Sequence, residues 1–204
     1  MRSLTRSSRT GHGLLRAFER ALLVAAAVFL GYYGWRSYEI WREQAKAVVE
    51  VQQALDTTAD GTRHGRDDNS PWVPRPGGVI GRLTIPRLNL SAPVKAGEDN
   101  SVLDFSVGYL RDTPLPWMPG NSAFAAHRDR LFRKLENIQA GDEIDLSTTH
   151  GNIRYQVLKT LIVEPDDVWV LDQIPNVNLT LITCYPFYYV GRAPHRFVVQ
   201  AGKL

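Results

Sequence analysis

The sequence has a single cysteine among its 204 residues, Cys184. One cysteine excludes an intramolecular disulfide and any cysteine-based zinc or iron–sulfur cluster. The chain also lacks an internal repeat of fixed period, which excludes solenoids and other repeat arrays. Its glycines do not have the spacing of a nucleotide-binding fingerprint. Hydrophobic residues make up 44% of the chain and charged residues 22%, a composition typical of a globular protein with a core.

An excess of basic residues is found only at the N-terminus. The formal net charge is +3, yet the first 20 residues hold five arginines and one glutamate, a net charge of +4. The rest of the chain therefore carries a net charge of −1. Because positive charge is not spread over the folded part of the chain, we expect no nucleic-acid partner.

The basic N-terminus is followed by an uncharged run of 15 residues, Ala21–Trp35. As a helix this run covers about 22 Å, less than the roughly 30 Å hydrocarbon core of a bilayer. The difference closes if the flanking Arg16 and Arg20 extend toward lipid phosphates. We therefore expect a cytoplasmic basic head at residues 1–15 and a transmembrane signal anchor at residues 16–38. The alternative is a cleaved signal peptide, in which a group of small residues within the run is the cleavage site. Apolar residues continue after that site, which disfavours this alternative.

The residues after the predicted anchor change composition twice. Residues 39–56 are rich in helix formers, and residues 57–77 are rich in glycine, proline and small polar residues. We expect a helical stalk followed by a flexible linker over residues 39–77, and an exported folded domain at residues 78–204. The lipid bilayer is then a partner of the chain.

The predicted exported domain consists of short apolar runs separated by turn residues. At residues 130–138 the succession of strands is interrupted by apolar residues with helical spacing. Residues 101–108 are expected to hold a short helical turn. Seven or eight strands in this length indicate a mostly β fold, either a small closed barrel or a sandwich. The strand at residues 179–183 is apolar on both faces, which places it centrally in the sheet. The predicted strands are Val79–Ile85, Leu88–Val94, Ser122–Ala126, Glu143–Ser147, Ile153–Val163, Leu179–Thr183 and Arg196–Ala201.

Three residues at the ends of predicted strands could carry out chemistry. Cys184 ends the central strand just before Pro186, where a side chain can open into a cleft. An exported thiol without a disulfide partner is open to oxidation, so its presence indicates a function. His127 ends another strand and could activate a thiol nucleophile. Arg196 opens the last strand and could bind a carbonyl oxygen or an oxyanion. The alternatives are an inert packing cysteine, a surface histidine and an exposed edge arginine.

These residues stand in motifs that resemble those of the sortase family. Thr180–Cys184 is similar to the sortase Thr-Leu-x-Thr-Cys signature, and Arg196 follows the cysteine by twelve residues, as the catalytic arginine of the family does. Ala126–Asp129 resembles the histidine motif of the family, although relatives often have glycine where Ala126 stands. Arg192 lies in the loop after the cysteine and is an alternative to Arg196 as the catalytic arginine. The segment after the cysteine is most similar to class D sortases or to a Gram-negative relative.

The resemblance implies a closed sortase-type β-barrel of seven to eight strands with short helices, and a cysteine transpeptidase. Cys184, His127 and Arg196 would be catalytic, and Thr183 and Ala126 would support the site. The partners would be secreted proteins with a C-terminal Leu-Pro-x-Thr-Gly-like sorting signal and an amine acceptor of the cell envelope. No cofactor is expected.

Two other functions and one metal site are open alternatives. The exported domain could be a non-enzymatic anchored scaffold. The pattern His127-x-Asp129 with a distal His195 is similar to the facial triad of non-haem iron enzymes. Some sortases bind calcium, and here three carboxylates precede the cysteine strand; we interpret them as solvated loop charges and predict no metal. These carboxylates are Glu164, Asp166 and Asp167.

Overall fold

The computed structural model describes residues 18–39, 42, 49, 53, 74–176 and 178–204. The chain divides into two compact units, Met1–Glu43 and Gln44–Leu204. The predicted basic head at residues 1–15 and most of the predicted stalk and linker at residues 39–77 lie outside the described residues.

Residues 18–39 of the first unit are helical. Helix formers and the absence of proline from this stretch favour that conformation. Its large apolar side chains are exposed, from Phe18 to Tyr38. In the described part of the chain, no helix combines the length and the apolar character needed to cross a membrane.

The described residues of the second unit form a closed barrel of eight strands, which confirms the predicted β class. Around the barrel the strands follow the order β1-β2-β3-β4-β7-β8-β6-β5, and β5 pairs with β1 to close it. Short helices occupy Pro86–Leu88, Asn100–Leu103, Leu131–Asn137 and Val168–Leu171, and all except Asn100–Leu103 are 3₁₀ helices. The strands are β1 Val79–Ile85, β2 Leu90–Ala96, β3 Val107–Tyr109, β4 Ser122–Ala125, β5 Glu143–Thr148, β6 Gly151–Val163, β7 Leu179–Tyr185 and β8 His195–Lys203.

The predicted strands all exist, but some bounds differ and one strand, β3, was not predicted. Strand β2 begins at Leu90 rather than Leu88, because a 3₁₀ turn starting at Pro86 ends in the left-handed residue Asn89 (φ 48°). The short helical turn expected within residues 101–108 is present as the helix Asn100–Leu103, and the strand β3 follows it. Strand β3 pairs in parallel with β2 over three residues, too short a run to show an alternating pattern.

Alternation along β7 separates the barrel interior from a second apolar cluster outside it. Leu179 and Leu181 are fully buried in the main core. Ile182 points to the opposite face, because successive side chains of a strand alternate. There it packs with Val198 of β8 and the helical turn Val168–Leu171 in a separate cluster. Strand β7 pairs with β4 on one edge and with β8 on the other, which confirms its predicted central place in the sheet.

An ion pair between Arg87 and Asp142 ties the turn after β1 to the start of β5. The Arg87 guanidinium donates to both carboxylate oxygens of Asp142, with a distance of 2.6 Å for the Nη2–Oδ2 contact. The backbone N–H of Gln139 donates to the same carboxylate at 2.8 Å. The hydrogen bond from Arg87 holds the pKa of Asp142 below its usual value, while partial burial opposes the shift.

We expect Asp142→Asn to lower the melting temperature at pH 7. A carboxyl whose pKa is lower in the folded than in the unfolded state stabilises the fold above its unfolded pKa, and this contribution is lost as the pH falls through the folded value. The difference from the parent should therefore shrink below about pH 4. Thermal denaturation followed by circular dichroism between pH 7 and pH 3 measures it, with the exposed Glu143→Gln as control. A difference that stays constant with pH would contradict the assignment.

Candidate active site

Three strand ends bring Cys184, Arg196 and His127 to one edge of the barrel. Cys184 of β7 lies directly opposite Arg196 of β8 in the antiparallel ladder. Strand β4 runs parallel to β7 on its other side, with Ala125 level with Ile182. Continuing this register by two residues brings His127 level with Cys184. The three residues thus form a row across three neighbouring strands.

The register at this edge is fixed by hydrogen bonds just before the row. The Ala126 N–H donates to the Ile182 carbonyl at 3.3 Å, one residue beyond Ala125, the last residue of β4 that pairs with β7. The Thr183 hydroxyl donates to the Ala126 carbonyl at 2.8 Å. Both Thr183 and Ala126 are buried, so these bonds are shielded from water. The two predicted supporting residues therefore join the strand ends that carry Cys184 and His127.

Cys184 and Arg196 belong to the outer face of the barrel. Cys184 has the parity of Ile182 rather than that of the core residue Leu181, and Arg196 has the parity of Val198. A cleft of about 270 Å³ opens on this face beside the row. It is lined by His127, Arg128, Asp129, Cys184, Gly191, Arg192, Ala193 and Arg196.

Cys184 is a free, half-buried cysteine. Since it lines the cleft, its sulfur is within reach of a bound molecule and is not enclosed in the main core. A thiol in this position is suited to nucleophilic attack, because access and a neighbouring imidazole decide the reactivity of a cysteine.

His127 contacts a carboxylate that the sequence analysis missed. The Nε2 atom of His127 lies 3.6 Å from Oδ1 of Asp104, and the two side chains are 34% and 38% exposed. Nη1 of Arg130 donates to the same oxygen at 3.0 Å. Because the pair is solvent-exposed, its contribution to stability is at most about 1 kcal/mol. Asp104 follows the short helix Asn100–Leu103, and no sequence pattern indicates that this turn meets the histidine.

Arg196 is half-buried and its guanidinium is held by backbone carbonyls. Nη1 donates to the His195 carbonyl at 3.1 Å and approaches the Ala193 carbonyl at 3.5 Å. Within the described residues no carboxylate pairs with it. A fixed and unneutralised guanidinium can bind a carbonyl oxygen or an oxyanion. Arg192 also lines the cleft but is exposed, in the loop that follows Gly191.

The two metal-site patterns of the sequence are not assembled. Across residues 74–176 and 178–204, as in the described helical residues, no three His, Cys, Asp or Glu side chains are grouped to hold a metal ion. His195 of the possible iron triad instead contacts Glu164, with 3.2 Å between Nδ1 and Oε1. Asp167 of the acidic loop accepts a hydrogen bond from the Glu164 backbone at 2.9 Å.

A thiol, an imidazole and a guanidinium that line one cleft are the groups of a cysteine-dependent acyl-transfer enzyme. Comparison with known proteins identifies the family. A protein-family model described as the sortase domain matches residues 83–204. Sortase D of Bacillus subtilis strain 168 is 31% identical over 189 residues, covering 90% of this chain and 96% of that protein.

Solved structures share the fold. A Clostridium perfringens Sortase D5 transpeptidase superposes with a TM-score of 0.63 at 22% identity, covering 79% of this chain and 98% of that chain. Sortase C1 of Streptococcus suis superposes with a TM-score of 0.57 at 28% identity, covering 62% of this chain and 73% of its own. The chain belongs to the sortase family, whose members are cysteine transpeptidases. The family resemblance inferred from the cysteine and histidine motifs is thereby confirmed.

Proposed function

We propose that this sortase cleaves a C-terminal Leu-Pro-x-Thr-Gly-like sorting signal and transfers the protein to an amine of the cell envelope. The Cys184 thiolate attacks the threonine carbonyl carbon and forms a tetrahedral adduct. Its C–N bond then breaks, and His127, as imidazolium, gives a proton to the departing amine. The product is a thioester between Cys184 and the threonine.

The second half of the reaction reverses these proton movements. An incoming amine attacks the thioester carbonyl, and His127 accepts its proton. The C–S bond breaks, an amide bond forms, and Cys184 leaves as the thiolate. Arg196 binds the carbonyl oxygen and stabilises the negative charge that develops on it in both halves. Thr183 and Ala126 act by fixing the strand ends.

The observation that carries this proposal is the row across β4, β7 and β8. Residues from three separate segments, 57 and 12 positions away from the cysteine, line the same outward cleft. An inert packing cysteine would need neither an open cleft nor these two neighbours. Membership of the sortase family supplies the reaction class.

The proposal is tested with a peptide that contains Leu-Pro-x-Thr-Gly and a separate amine such as triglycine. Mass spectrometry should detect a Cys184 thioester that retains the peptide up to threonine, and then a peptide–triglycine product. Peptides with the threonine–glycine bond replaced by a methylene ether serve as controls. A panel of such signals that gives neither thioester nor product would favour the scaffold alternative.

We further propose that the chain is anchored in the cell membrane by residues 16–38, with the catalytic domain outside the cytoplasm. Support comes from the uncharged run Ala21–Trp35, the basic residues before it, and the exposed apolar side chains of the helical residues 18–38. Sortases are generally membrane-associated enzymes of the cell envelope, which agrees with this placement.

Anchoring predicts that the full-length chain stays in the membrane pellet after alkaline carbonate extraction. Leu23→Arg combined with Val28→Arg should release it, because each central arginine costs about 2.5 to 3.5 kcal/mol on an insertion scale. Val49→Arg, an exposed position outside the uncharged run, is the matched control. A parent chain found in the carbonate supernatant would contradict the anchor.

A further inference from the structure

The loop between β7 and β8, residues 186–194, forms one wall of the cleft. Its residues Gly191, Arg192 and Ala193 line the cleft opposite the histidine segment. The tip of the loop is strongly exposed, with Val190 98% accessible. A wall built from an exposed loop needs other contacts to keep its distance from the histidine.

Arg128, the residue next to His127, makes such contacts. Its Nη2 atom donates to the Tyr189 carbonyl at 2.7 Å and to the Gly191 carbonyl at 3.0 Å. The guanidinium carbon also lies 5.8 Å from the centre of the Tyr189 ring, within cation–π range. One side chain thereby connects the histidine segment to two points of the opposite wall.

A second arginine of the same segment contacts the loop nearer its start. The guanidinium of Arg133 lies 3.8 Å from the centre of the Tyr188 ring, and Nη1 is 3.5 Å from the Phe187 carbonyl. Arg133 belongs to the 3₁₀ helix Leu131–Asn137, which packs on the core through Phe132 and Leu135. The loop is thus attached at its start to a helix that packs on the core, and Arg128 contacts its second half.

The second half of the loop leads directly to Arg196. Gly191 has a φ of +98°, a backbone conformation that favours glycine, and its carbonyl accepts a hydrogen bond from Arg128. Two residues later, the Ala193 carbonyl is one of the two oxygens near the Arg196 guanidinium. A displacement of residues 189–193 would therefore change both the width of the cleft and the orientation of that guanidinium.

We propose that Arg128 is a positioning residue for the transpeptidation: it holds the wall formed by residues 189–193 at a fixed distance from His127 and thereby orients Arg196. The role rests on the proposed function, since it acts through the residues assigned there. Arginine suits it because its guanidinium can donate two hydrogen bonds to carbonyls in a fixed geometry, whereas lysine carries a compact point charge.

Kinetics of the full-length enzyme with the sorting-signal peptide test this role. Arg128→Ala should reduce kcat/KM by about tenfold or more, because two hydrogen bonds from a charged group are lost. The melting temperature should stay close to that of the parent. Arg128→Lys should recover only part of the loss. The matched control is Arg154→Ala, an exposed arginine on β6 that does not line the cleft.

A double-mutant cycle with Gly191→Ala separates positioning from general loss of stability. The added Cβ of alanine meets no atom within 4 Å at this site, so we expect its effect to come from the strained φ and to move the carbonyl that Arg128 binds. If the two changes act through one contact, Arg128→Ala should cost much less in the Gly191→Ala background than in the parent. Hydrogen exchange of residues 186–194 should rise in Arg128→Ala.

The outcomes that overturn the role differ from those that overturn the function. Additive losses in the cycle, full recovery by lysine, or an unchanged kcat/KM in an active enzyme would overturn the role of Arg128 alone. A parent enzyme that never forms the thioester would overturn the proposed function, and the positioning role with it.

Discussion

Cys184→Ala is expected to abolish thioester formation and peptide cleavage, with a loss in kcat of about 10⁴-fold or more. In the proposed mechanism the sulfur becomes bonded to the threonine carbonyl carbon, so no other residue can replace it in the reaction. Cys184 is the sole cysteine of the chain, which excludes rescue by a second thiol. Mass spectrometry of the enzyme after incubation with the sorting-signal peptide measures the effect directly.

The fold of the alanine variant should be unchanged. Cys184 lies on the outer face and is absent from both apolar clusters, so removing its sulfur leaves the core contacts intact. Circular dichroism and the melting temperature check this point. Cys184→Ser is a useful companion, because it nearly preserves the size of the side chain while replacing the thiolate with a much weaker nucleophile. Cleavage by a well-folded alanine variant would rule out the covalent mechanism.

Arg196→Lys is expected to reduce kcat by about 10² to 10³-fold, the usual cost of removing one donor to a developing oxyanion. Lysine keeps the charge but cannot reproduce the planar, fixed arrangement of N–H groups. The backbone carbonyls of His195 and Ala193 that orient the guanidinium would be met in a different geometry. Single-turnover kinetics of thioester formation isolate the step in which the charge develops.

Arg192→Lys decides between the two arginines of the cleft. Arg192 is exposed and follows Gly191 in the loop, whereas Arg196 sits in the ladder opposite Cys184. We therefore expect the Arg192 variant to lose far less activity than the Arg196 variant. Arg154→Lys on β6, away from the cleft, controls for a general effect of the substitution. Equal activity of Arg196→Lys and the parent would move the oxyanion role to another group.

Much of the barrel could be predicted because its strands are amphipathic or doubly buried and are separated by glycine and proline turns. Strand β7 is the clearest case, since Leu179, Leu181 and Ile182 place apolar side chains on both of its faces. Strand β3 escaped prediction because three residues with a central glycine, Gly108, carry no periodic signal. Its existence depends on partners in β2 and β4, which only the tertiary fold supplies.

The three candidate catalytic residues, Cys184, His127 and Arg196, could be proposed from sequence because strand-end positions and family motifs mark them. Their common cleft follows from the pairing of β4, β7 and β8, which the sequence does not state. Asp104 and Arg128 were missed for a different reason. Each makes its contact from a turn or loop, at a distance of 23 and 61 to 63 residues along the chain, and charged loop residues give no pattern that distinguishes a contact from solvation.

Because successive side chains of β7 alternate between its two faces, the face on which the sulfur lies depends on whether its position in the strand is odd or even. From Leu179 onward, odd-numbered side chains of β7 point into the barrel interior and even-numbered side chains point outward. Cys184 has an even number and therefore lies on the outside, next to an inward-facing residue on each side. Loss or gain of a single amino acid within the strand would turn the nucleophile inward, whereas a change of two would return it to the outside. Natural variation in length should therefore accumulate in the loops around this strand and be absent within it.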